Sequence, residues 1–180
     1  MLQLNNTILI VIDVQGKLAQ LMYEKETMFT NLKRMIQGAQ VLDLPILWTE
    51  QLPDKLGATT PEVADLLQPI TEPIVKVSFS CLGCEPFVEQ LAKLGRRQVL
   101  LTGMETHICV YQTARDLLAQ GYEVQVVTDA VSSRLADNKA LGLSRMQDAG
   151  ATMTSVEMAL FELLQRAEGE QFRTITKIVK

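Results

Sequence analysis

The run Ile8-Leu9-Ile10-Val11-Ile12 is apolar at every position and shows no alternation of apolar and polar residues. A strand that faced water on one side would alternate, so this run reads as a parallel strand covered on both faces. Five further short, β-rich runs follow the first strand, Ile8–Asp13. They are Pro45–Thr49, Pro73–Lys76, Val99–Thr102, Val124–Thr128 and Ala151–Thr154. Helical periodicity fills the gaps. Lys25–Leu42 places Met28, Leu32, Met35, Ile36 and Ala39 on one face, and Glu85–Leu94, Thr106–Gln120, Asp137–Ala149 and Ser155–Ala167 also read as helices. Such alternation predicts an α/β fold: a three-layer α/β/α sandwich on a six-stranded, mostly parallel sheet of order 3-2-1-4-5-6.

The punctuation agrees. Gly95, Gly121, Gly150 and Gly169 each follow a helix in the manner of C-terminal stops, and Ser155 is a good N-cap with Glu157 in the first turn behind it. The long irregular connection runs from Leu52 to Glu72, with room for a short helix near Glu62–Leu67, and is placed to border a ligand site. No repeat, linker or low-complexity tract divides the 180 residues, so residues 1–180 read as one domain.

Charge and cysteine usage narrow the function. A net charge of −4 supplies no basic footprint for nucleic acid or an anionic membrane. The first apolar run is too short for a signal peptide or a membrane span, and three cysteines make no disulfide framework, so the expectation is a cytoplasmic protein.

Three chemically active residue types fall at carboxyl ends of strands, the edge where an open α/β sheet binds ligands: Asp13, Lys76 and, just past the fourth strand, Cys109. In Gly103-Met104-Glu105-Thr106-His107-Ile108-Cys109-Val110 the cysteine sits in the first turn of a helix. Free N–H groups there favour a thiolate and predict a lowered thiol pKa. A carboxylate can take the thiol proton, a lysine can hold the anionic site, and N–H groups can stabilise an oxyanion. Asp13 and Lys76 are therefore expected within about 4–6 Å of Cys109.

These motifs resemble the isochorismatase-like cysteine hydrolases, a superfamily that includes nicotinamidases and N-carbamoylsarcosine amidases. The resemblance covers Thr7 to Leu164. Trp48-Thr49-Glu50-Gln51 and the tail Phe172…Ile178-Val179-Lys180 further resemble its small isochorismatase-domain proteins. It implies a catalytic triad of Cys109, Asp13 and Lys76. It also implies a cis peptide before Glu105, so that the N–H groups of Glu105 and Cys109 form the oxyanion hole. Nicotinamidases of this kind hold a metal through an Asp-x-His pair and further histidines, whereas this chain has His107 alone. That departure argues against nicotinamidase activity and against any metal or other cofactor. Isochorismatase itself cleaves a vinyl ether without a cysteine nucleophile, so the presence of Cys109 points to acyl chemistry.

Other residues have plainer readings. Gln15, Trp48, Phe79 and Thr106 are candidate pocket residues, as is Tyr111, although Trp48, Phe79 and Tyr111 suit core or interface packing equally well. Cys81-Leu82-Gly83-Cys84 has no partner pair for a zinc site; Cys84 is the rival nucleophile, but no strand-end acid accompanies it. His107, two residues from Cys109 on a helix, points to a different side and reads as structural. Glu50 and Asp54 lack the partners that would hold a hard cation. The expected protein is a cofactor-free hydrolase of a small amide, imide or carbamoyl compound. The reading from another class is a catalytically silent scaffold that keeps the fold. A homo-oligomer is expected, with apolar residues of Leu52–Leu67 needing cover.

Overall fold

The computed structural model describes residues 1–180. In chain order the elements are β1 (Thr7–Ile12), α1 (Gly16–Ala19), α2 (Lys25–Val41), β2 (Ile46–Gln51), α3 (Pro53–Leu56), α4 (Pro61–Leu67), β3 (Ile74–Lys76), a 3₁₀ turn (Cys81–Gly83), α5 (Glu85–Leu94), β4 (Gln98–Met104), a π turn (Thr106–Val110), α6 (Tyr111–Ala119), β5 (Glu123–Ser132), α7 (Ala136–Asp148), β6 (Thr152–Thr154), α8 (Val156–Leu164) and α9 (Gly169–Val179). The six strands form one sheet in the order β3-β2-β1-β4-β5-β6, and every pairing is parallel.

Strand alternation divides the core in two. Leu9 and Val11 of β1, with Ile46 and Trp48 of β2, face the layer of α2, α4, α8 and α9. Ile8, Ile10 and Ile12, with Leu47, face the layer of α5, α6 and α7. Trp48 is 1% exposed within the first cluster, so it is core and does not wall the pocket. Its neighbour Thr49, one residue on and therefore on the opposite face, is the β2 side chain that meets Asp13. The expected apolar face of α2 is buried as drawn, from Met28 to Ala39.

Three strands run further than their apolar patterns. β2 continues through Glu50 and Gln51, β4 through Gly103 and Met104, and β5 through Asp129 to Ser132. Asp129 interrupts the apolar run, yet its carboxylate caps the Val156 N–H at 3.0 Å and its carbonyl accepts from Asn31 Nδ2 at 3.1 Å. Gly103 has φ +110°, and a Cβ there would lie 2.2 Å from the Ile12 carbonyl oxygen; β4 passes β1 too closely for any side chain.

The helices depart from expectation at two places. Thr106–Gln120 is not one helix: Thr106–Val110 is a π turn, its Val110 N–H reaching the Glu105 carbonyl at 3.3 Å, and α6 begins only at Tyr111. Such wide turns recur at functional sites because they re-aim side chains within a helical segment. The Met104–Glu105 peptide bond preceding it is cis. At the carboxyl end, α8 stops at Leu164 with Gln165 left-handed, and a separate helix, α9, follows. Ile175 of α9 is fully buried, and Gln171 Nε2 bonds the Val41 carbonyl at the end of α2 at 3.0 Å. No helix is long and apolar enough to cross a membrane.

Candidate active site

The carboxyl ends of β1, β2, β3 and β4 converge on one small cavity. Asp13, directly after β1, adopts a left-handed backbone (φ 50°), a conformation that aspartate tolerates better than most residues. Its Oδ1 accepts from Thr49 Oγ1 at 2.7 Å and its Oδ2 from Lys76 Nζ at 2.6 Å. Lys76, the last residue of β3, spends its remaining protons on the carbonyls of Ser78 (3.0 Å) and Phe79 (3.1 Å). Both side chains of this ion pair are buried, at 0% and 6% exposure. A charge so placed persists only with a counter-charge and filled hydrogen-bonding positions, and Lys76 has both.

Asp13 and Cys109 line the same cavity, whose volume is about 60 Å³. Leu18 of α1, Leu56 of α3 and Phe79 also line it, with Met104 and Ile108 on the side of β4 and the π turn. A larger open hollow of about 680 Å³ lies at the opposite, amino end of the strands around Leu44, Ile46, Lys93 and Arg96, far from this chemistry.

The Cys109 thiol does not behave as its position in the chain predicts. Burial pushes it up to about 12; the Asp13 carboxylate pushes the same way, and the Lys76 ammonium opposes them. The favourable field of a helix start is outweighed by desolvation and by a carboxylate next door. The thiol is therefore neutral at rest. It donates to Gln51 Oε1 at 4.0 Å. A neutral thiol in one cavity with a carboxylate is a nucleophile with its base at hand.

The remaining candidates separate. Gln15 lines the cavity but is a clasp: its Oε1 accepts from the Gln51 N–H at 2.6 Å, and its Nε2 donates to the carbonyls of Gln51 (3.1 Å) and Gly57 (2.7 Å). Phe79 stands half exposed at the rim. Glu105 lines the cavity, and its N–H has no acceptor within the chain, while its carboxylate is held by Arg134 Nε at 2.7 Å. Thr106 is not a pocket residue. It is fully buried with an unpartnered hydroxyl, beneath α7, where a Cβ on Gly142 would come within 2.9 Å of its carbonyl carbon. Tyr111 lies outside this cavity, on a surface hollow with Arg115 and Arg145, the latter 5.0 Å from its ring centre. His107 is occupied by Ser133 Oγ at 3.0 Å.

All three cysteines are free. Neither Cys81 nor Cys84 lines the cavity. Cys81 is wholly buried beside Thr49, and burial pushes its thiol to about 12. Cys84 Sγ contacts the Val75 carbonyl at 3.5 Å. The Glu50 carboxylate is turned to Thr59, accepting from its N–H at 2.6 Å and its hydroxyl at 2.7 Å. No three His, Cys, Asp or Glu residues converge as a ligand set. Sequence reasoning missed Thr49 and Gln51, both polar residues at the carboxyl end of a strand, which was the available signal.

The model of the isochorismatase domain matches residues 7–158. The secreted isochorismatase effector Isc1 of Phytophthora sojae is 38% identical over 181 residues, covering 98% of this chain and 85% of that protein. Isochorismatase domain-containing protein 2 of Xenopus laevis is 38% identical over 175 residues, covering 97% and 83%. Among solved structures, a MAR1 ribonuclease from Caenorhabditis elegans superposes with a TM-score of 0.92 at 34% identity, over 99% of this chain and 91% of that one. YcaC from Pseudomonas aeruginosa, described with hexane-2,5-diol and covalent acrylamide, gives 0.92 at 24% identity over 98% and 90%. YcaC from Escherichia coli, described as an octameric hydrolase of unknown specificity, gives 0.92 at 23% over 98% and 89%. The sheet order and these matches define an α/β protein with the isochorismatase-like hydrolase fold. This chain belongs to the isochorismatase family.

Proposed function

We propose that the protein hydrolyses the C–N bond of a small amide, imide or carbamoyl compound through Cys109, Asp13 and Lys76, without a metal or organic cofactor. One observation carries this reading: a neutral, buried thiol shares a cavity with a carboxylate whose charge is held by a buried lysine. As Cys109 Sγ bonds to the substrate carbonyl carbon, its proton passes to Asp13. The N–H groups of Glu105 and Cys109 receive the developing oxyanion, and that of Glu105 is unengaged at rest. Asp13 then gives the proton to the leaving amine as the C–N bond breaks, leaving a thioester. Water, deprotonated by Asp13, adds to the thioester and releases the acid and the thiol. Lys76, 2.6 Å from Asp13 Oδ2, holds the carboxylate in place through these transfers. A covalent acrylamide is described for the Pseudomonas YcaC, a protein of the same fold.

We also propose a cytoplasmic homo-oligomer. The octamer described for the Escherichia coli relative supports assembly, and three free thiols fit a reducing compartment. A screen of small amides against wild type and Cys109→Ala tests the chemistry. Turnover should vanish with the thiol and with iodoacetamide, survive a chelator, and leave a thioester adduct on Cys109 detectable by mass spectrometry under acid quench. Turnover that Cys109→Ala retains, or that a chelator abolishes and added zinc or iron restores, would overturn it.

A further inference from the structure

Most polar side chains lining the cavity are already committed. Both oxygens of Asp13 hold partners, the Gln15 amide makes three hydrogen bonds to the backbone, and the Glu105 carboxylate is held by Arg134. Gln51 is different. Its Nε2 spends its two hydrogens on the carbonyls of Val77 (3.1 Å) and Ser78 (3.2 Å), and Gln15 grips its backbone N–H and carbonyl. Turning the amide over would set its oxygen against two carbonyl oxygens, so the oxygen is fixed toward the cavity. There its one side-chain partner is the long thiol contact at 4.0 Å. The structure thus holds a rigid acceptor, 8% exposed, with nearly all of its capacity unspent, beside the nucleophile and among the apolar side chains of Leu18, Leu56 and Ile108.

We propose that Gln51 determines specificity: its Oε1 accepts an N–H of the substrate's amide or carbamoyl group, so the site takes –C(O)NH– groups and rejects the corresponding esters. The inference rests on the thiol-hydrolase reading above. An amide N–H buried against this wall without an acceptor would lose its water hydrogen bond and gain nothing. An ester oxygen in the same place would meet the Gln51 oxygen lone pair to lone pair. A cavity of about 60 Å³ has space for about two waters, so a planar amide of few heavy atoms fits and bulky N-substituents must displace Leu56 or Phe79.

The experiment uses acrylamide and two probes of equal heavy-atom count, N-methylacrylamide and methyl acrylate. In each, Cys109 Sγ bonds to the β-carbon and the thiol proton ends on the α-carbon, so no oxidant or leaving group is needed. Labelling of Cys109 is followed by peptide mass spectrometry, and each rate is divided by that of the same probe with a free small thiol. In wild type both amides should exceed methyl acrylate by about tenfold or more, the scale of one hydrogen bond. In Gln51→Met, with folding checked by melting, the ratio should collapse to within about twofold. The equal-sized pair in wild type decides the matter even if that variant unfolds. Equal normalised rates in wild type, or an undiminished ratio in folded Gln51→Met, would overturn the proposal. Labelling of Cys109 no faster in wild type than in Asp13→Asn would instead sink the thiol–carboxylate reading, and the inference with it.

Discussion

The Asp13–Lys76 pair is the costliest arrangement in the molecule at the scale of single residues. Each charge is tolerable only because the other is 2.6 Å away. Lys76→Met should therefore lower stability by about 3–5 kcal/mol, because a buried carboxylate loses its counter-charge. Lys76→Met combined with Asp13→Asn should recover part of that loss, and urea denaturation of the three proteins measures both. The two raised thiols give a pH dependence whose sign follows from their protons. An unfolded cysteine releases its proton near 9, whereas the native chain keeps those of Cys81 and Cys109 until about 12. Between those values the native state binds more protons, so stability falls as pH rises through that window. Urea midpoints from pH 8 upward should decline, and less steeply in Cys109→Ala. A midpoint that rises over this range contradicts the assignment. Iodoacetamide labelling of Cys109 without substrate should likewise climb through pH 9 and beyond; a plateau at pH 6–7 would restore the activated thiolate that its place in the chain alone predicts.

Elements explain why some of this was legible and some was not. Short β-rich runs located all six strands, and glycine stops placed the ends of α5 and α7 within a residue. The ends that build the site were drawn short. Glu50, Gln51 and Gly103 break the apolar pattern because Glu50 holds Thr59, Gln51 serves the cavity and Gly103 allows a close backbone crossing. Gln51 was hidden for that reason. The missed α9 did carry a helical signal, with Phe172, Ile175 and Ile178 spaced by three, but its glycine start read as the end of the preceding helix. The π turn had no sequence signature beyond Gly103. It is supported from outside: Gly142 of α7 lies where a Cβ would be 2.9 Å from His107 N and Cα. Nothing about the Gly142 backbone requires glycine, so Gly142→Ala isolates that steric contact. It should shift the turn carrying Cys109 and lower kcat at least about tenfold, since small misplacements of a nucleophile are amplified in rate. Circular dichroism should stay native, and unchanged kcat would show that α7 does not set the turn.

At the scale of the whole molecule, apolar surface remains, but not where the sequence placed it. Within Leu52–Leu67, Val63, Ala64 and Leu67 are buried and Leu52, Leu56 and Leu66 are partly covered. The exposed apolar residues along the β3 edge are Ile70 (54%), Val75 (54%), Val77 (73%) and Phe79 (53%). β3 ends the sheet with no strand beyond it, and an open edge carrying exposed Val75 and Val77 invites pairing. Covering one such side chain fully is worth about 1.5–3 kcal/mol, so several together can hold an interface. A second copy of this chain offers the same patch, and a two-fold contact would bury both at once. Since Phe79 is also part of the cavity rim, assembly through this edge would narrow the mouth of the site. Sedimentation velocity at micromolar concentration should then show an oligomer. Val77→Lys, whose side chain points away from the Gln51 contact made by its carbonyl, should shift the protein toward monomer and leave its thermal unfolding of the monomeric fold intact. A wild-type protein that sediments as a stable monomer would refute the assembly, and an oligomer that Val77→Lys leaves unchanged would place the interface on another face.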